Sequence, residues 1–124
     1  MTLAYWIVLV AAVMPVVFAG IAKAGGEAYD NRNPRDWLAR QEGWRKRANA
    51  AQQNSVEAFA PFAAAVIIAH QLGAGQATIN TLAVLFILCR VVYGALYIKD
   101  MHSLRSLAWL AGFGCVIALF IVSI

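Results

Sequence analysis

The sequence predicts an all-α integral membrane protein, a bundle of four transmembrane helices. Three observations carry that expectation. Of 124 residues, 62% are hydrophobic and 13% are charged, too little polar surface for a soluble domain of this length. The apolar residues fall into long runs, and a hydrocarbon core asks for about 20 apolar residues per helix. Finally, Lys and Arg concentrate in two of the connecting segments. The net charge of +4 therefore reads as membrane orientation rather than nucleic-acid binding, since no basic stripe alternates with exposed aromatics.

The first span covers residues 3–22 and holds no charge. Its interior Pro15 is tolerable in a membrane helix. A cleaved signal peptide would carry positive charge before its core, and Met1 and Thr2 supply none, so an uncleaved helix is expected. Residues 24–43 form the one substantial polar loop. Within it, Asn33 and Pro34 have the chemistry of a helix start, with Asp36 near the positive end of the dipole. A helix starting there is expected to run on through the second span, 46–71. The turn "LGAGQAT" follows. The third span is 77–98, interrupted by Arg90, and the fourth is 106–124.

Seven cations (Lys23, Arg32, Arg35, Arg40, Arg45, Lys46 and Arg47) lie between spans one and two, and Lys99 and Arg105 lie between spans three and four. In a four-span topology both segments share a side. The positive-inside rule makes the 24–43 and 99–105 loops cytoplasmic and puts both termini outside. Tyr5 and Trp6 then mark the outer interface, Trp44 and Trp109 the inner one.

Two charges have no loop to explain them. Glu57 and Arg90 each lie about 13–15 Å from a cytoplasmic helix end at 1.5 Å rise per residue. An unpaired charge at mid-membrane costs roughly 2.5–3.5 kcal/mol even on the mild insertion scale, so a Glu57–Arg90 ion pair is expected. It serves either as a structural clasp or as part of a ligand site, and the two are compatible. At 100° per residue Arg47, Ala50, Asn54, Glu57 and Pro61 share an arc of about 80°, and Phe86, Arg90, Tyr93 and Tyr97 one of about 60°. Facing each other, these stripes would line an inward cavity with guanidinium, carboxamide, carboxylate and phenol groups. Arg47 and Arg105 would stand at its mouth. Such a lining suits a small anionic ligand with carboxylates and peptide groups. The plainer readings are interfacial anchoring for the two arginines, packing for the tyrosines and an interhelical hydrogen bond for Asn54.

Cys89 and Cys115 lie in apolar runs, without C-x-x-C spacing or a nearby His. They read as small buried residues with neither metal nor redox chemistry. His70 and His102 fall at opposite faces of the membrane, so no shared metal is expected. Ala108, Gly112 and Cys115 make a small-residue face for close helix packing.

The string "RANAAQQNSVEAFAPF" resembles the second-helix signature of the MAPEG family, the membrane-associated proteins in eicosanoid and glutathione metabolism: Arg-Ala, then Asn-x-x-Glu, then Pro and Phe. "RVVYGALYIKDMHSLRS" resembles the family's third-helix Arg-x-x-Tyr-x-x-x-Tyr and the Arg after the short turn. The resemblance covers essentially the whole chain. It implies a homotrimer in the membrane, with glutathione bound between subunits on the cytoplasmic side as co-substrate. The implied partners are a second copy of the chain, membrane lipid and a lipophilic small molecule, with thiol transfer or peroxide reduction as the chemistry. By motif, Asn54, Glu57 and Arg90 match ligand-contacting positions, and Arg47 is the nearest cation on their face. Arg105 matches the Arg that activates the thiol, with Tyr93 and Tyr97 as the aromatic pair. Ala50 stands where members with transferase chemistry usually carry Arg. That gives the chain a bacterial character and implies a bacterial inner membrane. The alternatives are a non-catalytic membrane protein of the same fold, or a small multidrug exporter. The exporter would need a carboxylate in the first helix, which this chain lacks.

Overall fold

A computed structural model describes residues 1–25 and 27–124; Gly26, in the expected 24–43 loop, lies outside the described residues. The described residues form five helices: α1 (Leu3–Lys23), α2 (Pro34–Ala39), α3 (Trp44–Gln71), α4 (Gln76–Ile98) and α5 (His102–Ile121). The four long ones form the bundle. α1 packs along α3 and α4 along α5, while α3–α4, α1–α4 and α3–α5 contacts close it.

α1, α4 and α5 are each long and apolar enough to cross a membrane. α3 differs. Its 28 residues span about 42 Å at 1.5 Å per residue, more than the ~30 Å hydrocarbon core. Its first half carries Arg45, Lys46, Arg47, Gln52, Gln53, Asn54 and Glu57. Only beyond Pro61 does its composition become that of a lipid-facing helix.

The expected continuous helix from Asn33 into the bundle does not form. α2 stops at Ala39, and α3 starts afresh at Trp44. The break sits at Gly43, whose φ of 64° and ψ of −140° belong to a region that glycine alone enters freely. Asn33 and Pro34 do open α2, but the Asn33 amide turns back to Asp30 Oδ2 at 3.5 Å instead of capping. The loop is organised by Trp37, which is fully buried with Ala22, Leu38 and Ala48. Its indole Nε1 donates to Ala28 O at 2.8 Å, and Tyr29 meets it edge-on. Gln41, also buried, donates to Trp37 O at 3.0 Å.

Both tight turns solve the same problem, the unpaired carbonyls of a helix end. After α3, Gly73 (φ 74°) lets Ala74 N donate to Ala69 O and Gly73 N to His70 O. After α4, Asp100 (φ 62°) takes the glycine role, with Met101 N donating to Leu96 O and Asp100 N to Tyr97 O. These are paired Schellman bonds. Asp tolerates the left-handed conformation better than most side chains.

A polar knot gathers three helix ends opposite the loop. His70 Nδ1 lies 2.8 Å from Val66 O, and its Nε2 meets Thr2 Oγ1 at 2.9 Å and Gln76 Nε2 at 3.3 Å. Asn80 Oδ1 accepts from both Ala4 N and Gln76 Nε2. Tyr5 stacks on the His70 ring at 4.0 Å.

The core runs down the bundle through Ala4, Ala11, Met14 and Phe18 of α1, then Phe62, Ala65 and Val66 of α3 and Ile79, Ala83 and Phe86 of α4. Phe62 and Phe86 stack at 3.9 Å. Alanines bring the backbones close, as membrane helix interfaces favour. The closest approach is at Gly94, where a Cβ would enter the Phe18 ring. Gly94→Ala is therefore expected to cost about 1–3 kcal/mol, the usual range for overpacking, with part of it recovered in Gly94→Ala/Phe18→Leu. Thermal unfolding of the detergent-solubilised protein tests this, and an unchanged midpoint in the single variant would contradict the packing.

Candidate functional site

The residues that sequence reading singled out separate into two adjoining cavities. The first, about 150 Å³, is lined by Asn54, Glu57, Ala58 and Pro61 of α3, Phe86 and Arg90 of α4, and Trp109, Phe113 and Val116 of α5. The second, about 380 Å³, is lined by Tyr93, Tyr97, Arg105, Ser106 and Trp109. Trp109 borders both and is held by stacking on Phe113 at 5.3 Å. The helical stripes explain this division. Asn54, Glu57 and Pro61 recur at helical spacing on one side of α3, as do Phe86, Arg90, Tyr93 and Tyr97 on α4.

Arg90 is 3% exposed. The expected Glu57–Arg90 ion pair does not form: among the described residues the one ion pair is Lys46–Glu42, at 3.9 Å on the surface. Arg90 Nη2 instead donates to Ser55 Oγ at 3.4 Å, and its guanidinium lies 4.3 Å over the Tyr93 ring. Ser55 Oγ in turn donates a hydrogen bond to Ala51 O at 2.8 Å. The reason is angular. Ser55 is on the buried side of α3, whereas Glu57, about 200° further round, is exposed. Glu57 and Arg90 share a cavity without touching.

The second cavity repeats the motif. Arg105 lies 4.0 Å over Tyr97, and the two tyrosine rings meet edge-on at 5.7 Å. Arg90, Tyr93, Tyr97 and Arg105 thus form one continuous stack, cation to ring to ring to cation. The Arg-x-x-Tyr-x-x-x-Tyr spacing builds it along α4, and the short turn delivers Arg105 to its far end. A guanidinium on an aromatic face keeps its edge N–H groups free for other acceptors.

Arg47 lines neither cavity. Its Nε donates to Ile98 O at 2.9 Å, fastening the start of α3 to the end of α4. Ala50 is half-buried on the same helix. Asn54 Oδ1 and Gln52 Oε1 are buried without a hydrogen-bond partner among the described residues. Such an atom costs about 1–3 kcal/mol, so Asn54 Oδ1 is a vacant acceptor at the cavity wall. Ser55, the residue that holds Arg90, was not singled out in the sequence; its place between Asn54 and Glu57 was the available signal. Cys89 on α4 and Cys115 on α5 are free and half-buried. Among the described residues no group of three or more His, Cys, Asp and Glu could hold a metal.

The stack predicts a separation between ring and hydroxyl at Tyr93. Tyr93→Phe keeps the face under Arg90 and should unfold within a few tenths of a kcal/mol of the parent. Tyr93→Leu removes the face and should cost on the order of 0.5–2 kcal/mol. Equal losses in the two variants, measured by thermal unfolding in detergent, would show that the ring does not hold the guanidinium.

Compared with known proteins, residues 3–124 match the model of the MAPEG family. No curated protein and no solved structure matches the chain.

Proposed function

Because the chain belongs to the MAPEG family, and is thereby a membrane protein of that type, we propose that it binds glutathione at the two cavities and uses it either to transfer the thiol to a lipophilic electrophile or to reduce a peroxide, two glutathiones then leaving as the disulfide with an alcohol and water. The observation that carries this reading is the Arg90–Tyr93–Tyr97–Arg105 stack beside the unsatisfied Asn54 carbonyl oxygen. Glutathione offers two carboxylates, an ammonium, two peptide groups and a thiol. Arg90 answers a carboxylate, exposed Glu57 the ammonium, and Asn54 Oδ1 a peptide N–H. Arg47 adds positive charge at the start of α3.

Arg105 is the thiolate-stabilising group in this reading. The thiolate is the nucleophile, and a guanidinium aimed at developing negative charge favours it over the thiol. The thiol proton leaves to solvent, and Tyr93 or Tyr97 donates a hydrogen bond to sulfur. Sulfur then attacks the electrophilic carbon to form the C–S bond as the leaving group departs. The 150 Å³ cavity is smaller than the ~300 Å³ at which ligand pockets begin. A site closed by a neighbouring protomer in a homotrimer, as the family resemblance implies, fits that shortfall. Four membrane crossings, with the 24–43 and 99–105 segments in the cytoplasm of a bacterial inner membrane, complete the proposal. An apolar groove of about 610 Å³ between α1 and α4, lined by Leu9, Val13, Val17, Val91 and Ile98 among others, supplies the surface for acyl chains.

A second reading is favoured by one specific position. Ala50 stands in place of a carboxylate-binding Arg, and Arg90 already has Ser55 and Tyr93 as partners. A protein that keeps the fold without turnover satisfies both facts.

Glutathione at a hundredfold excess over its dissociation constant should stabilise the solubilised protein by about 2.7 kcal/mol. No shift in the unfolding midpoint at millimolar glutathione, with assembly intact, removes the binding claim. If binding holds, Arg105→Ala should abolish conjugation of a lipophilic electrophile while the protein still assembles and binds. Binding without turnover in the parent selects the second reading.

A further inference from the structure

The groove between α1 and α4 is built for hydrocarbon along its length and for an anion at one end. Every side chain that lines it is apolar, and Val13, Val17, Val91 and Ala95 are exposed. Its α1 wall runs from Leu9 to Ile21, about 18 Å at 1.5 Å per residue. That is close to one leaflet of a ~30 Å hydrocarbon core.

Both walls finish in cations at the same end. On the α1 wall the turn after Ile21 is Ala24 and Gly25. Arg45 Nε donates to Ala24 O at 3.2 Å, and its Nη2 would stand 3.2 Å from a Cβ at Gly25. On the α4 wall Arg47 Nε donates at 2.9 Å to the carbonyl of Ile98, itself a lining residue. Lys99 stands one turn past Ala95, on the same side of α4. Among the described residues the one ion pair is Lys46–Glu42, so no carboxylate neutralises these three cations, Asp100 beside Lys99 included. Each arginine uses Nε on a helix-end carbonyl and keeps its outer N–H groups for an oxyanion.

We infer that this groove holds one anionic phospholipid, with an acyl chain between α1 and α4 and the phosphate at Arg45, Arg47 and Lys99. A soluble anion would leave the apolar walls bare, and an uncharged lipid would leave the cations unanswered. A zwitterionic lipid brings its own ammonium to the same cations and loses part of the attraction. The ring of Trp44, with the Arg45 guanidinium 4.3 Å over it, suits the headgroup depth where interfacial tryptophans lie. The inference rests on the acyl surface proposed above and adds a headgroup to it. It needs no glutathione, so either reading can fail alone.

The test uses the whole protein, delipidated in detergent and titrated with dioleoyl phosphatidylglycerol or dioleoyl phosphatidylcholine, which share their acyl chains. Native mass spectrometry counts the lipids retained per chain, and the unfolding midpoint reports stabilisation. The expected result is one phosphatidylglycerol per chain, held at least about tenfold more tightly than phosphatidylcholine, with the larger rise in midpoint. Lys99→Gln keeps the hydrogen bonds of both arginines and should lower that preference severalfold; R45Q/K99Q should remove most of it. R32Q/R40Q removes the same charge from two exposed cations outside the groove and should keep the preference. Ala95→Trp fills the groove from an exposed position and should abolish retention of both lipids. Equal retention of the two lipids by the parent, an unchanged preference in R45Q/K99Q, or an equal loss in R32Q/R40Q would overturn the headgroup site. Should R45Q/K99Q misfold, Lys99→Gln decides alone. Undiminished retention in Ala95→Trp would overturn the groove. A parent that retains no lipid, with assembly lost in Ala95→Trp, would assign the groove to a second copy and overturn the inference.

Discussion

A guanidinium with almost no access to solvent sits where four helices meet, and the molecule is arranged around keeping it satisfied. Arg90 cannot be deprotonated, and among the described residues it has no ion pair. What replaces water is a hydroxyl from α3 and an aromatic face from its own helix. Both depend on the packing around them. Ser55 is aimed by α3, which is fixed to α4 by the Phe62–Phe86 stack. Tyr93 keeps its place through the edge-on contact with Tyr97, which lies under Arg105. A charge held by dipoles and π-faces remains more available to an incoming anion than one neutralised by a carboxylate. Among the described residues Glu57 too has no ion pair, because it lies about 200° round α3 from Ser55, the residue that meets Arg90.

The same economy governs the helix ends. The two short connections between long helices close their own carbonyls through left-handed residues, Gly73 and Asp100. The α4 end gains a further donor from Arg47. The third connection is longer and has a small core of its own around Trp37. The described part of the polar connection between α1 and α3 is thus a folded cap, held by Trp37 against Ala48 of α3.

Much of this architecture was legible in the sequence. The apolar runs gave the long helices, because their length and lack of charge leave little else for the chain to do in water or lipid. Helical spacing put Asn54 with Glu57 and Arg90 with the tyrosines, since period alone decides which residues share a face. The partner of Arg90 was not legible. Two residues, Ser55 and Glu57, compete for it from different sides of one helix, and which side faces α4 is decided by packing. The break at Gly43 was hidden because a lone glycine after "RQE" reads equally well as a tolerated helical residue. The burial of Trp37 was not legible, as it needs Ala22 and Ala48 from elements distant in sequence.

The polar knot at one end of the bundle and Arg45 at the other hold α1 like a strut pinned at both ends. Thr2 and Ala4 are tied to His70 and Asn80, while Arg45 Nε donates to Ala24 O at 3.2 Å. α1 therefore cannot move along its axis like a piston without breaking one set of ties. A change in bilayer thickness must be met by tilting the bundle as a body, or by deforming the lipid around it. The cavities on α3, α4 and α5 would then keep their shape in membranes of different thickness.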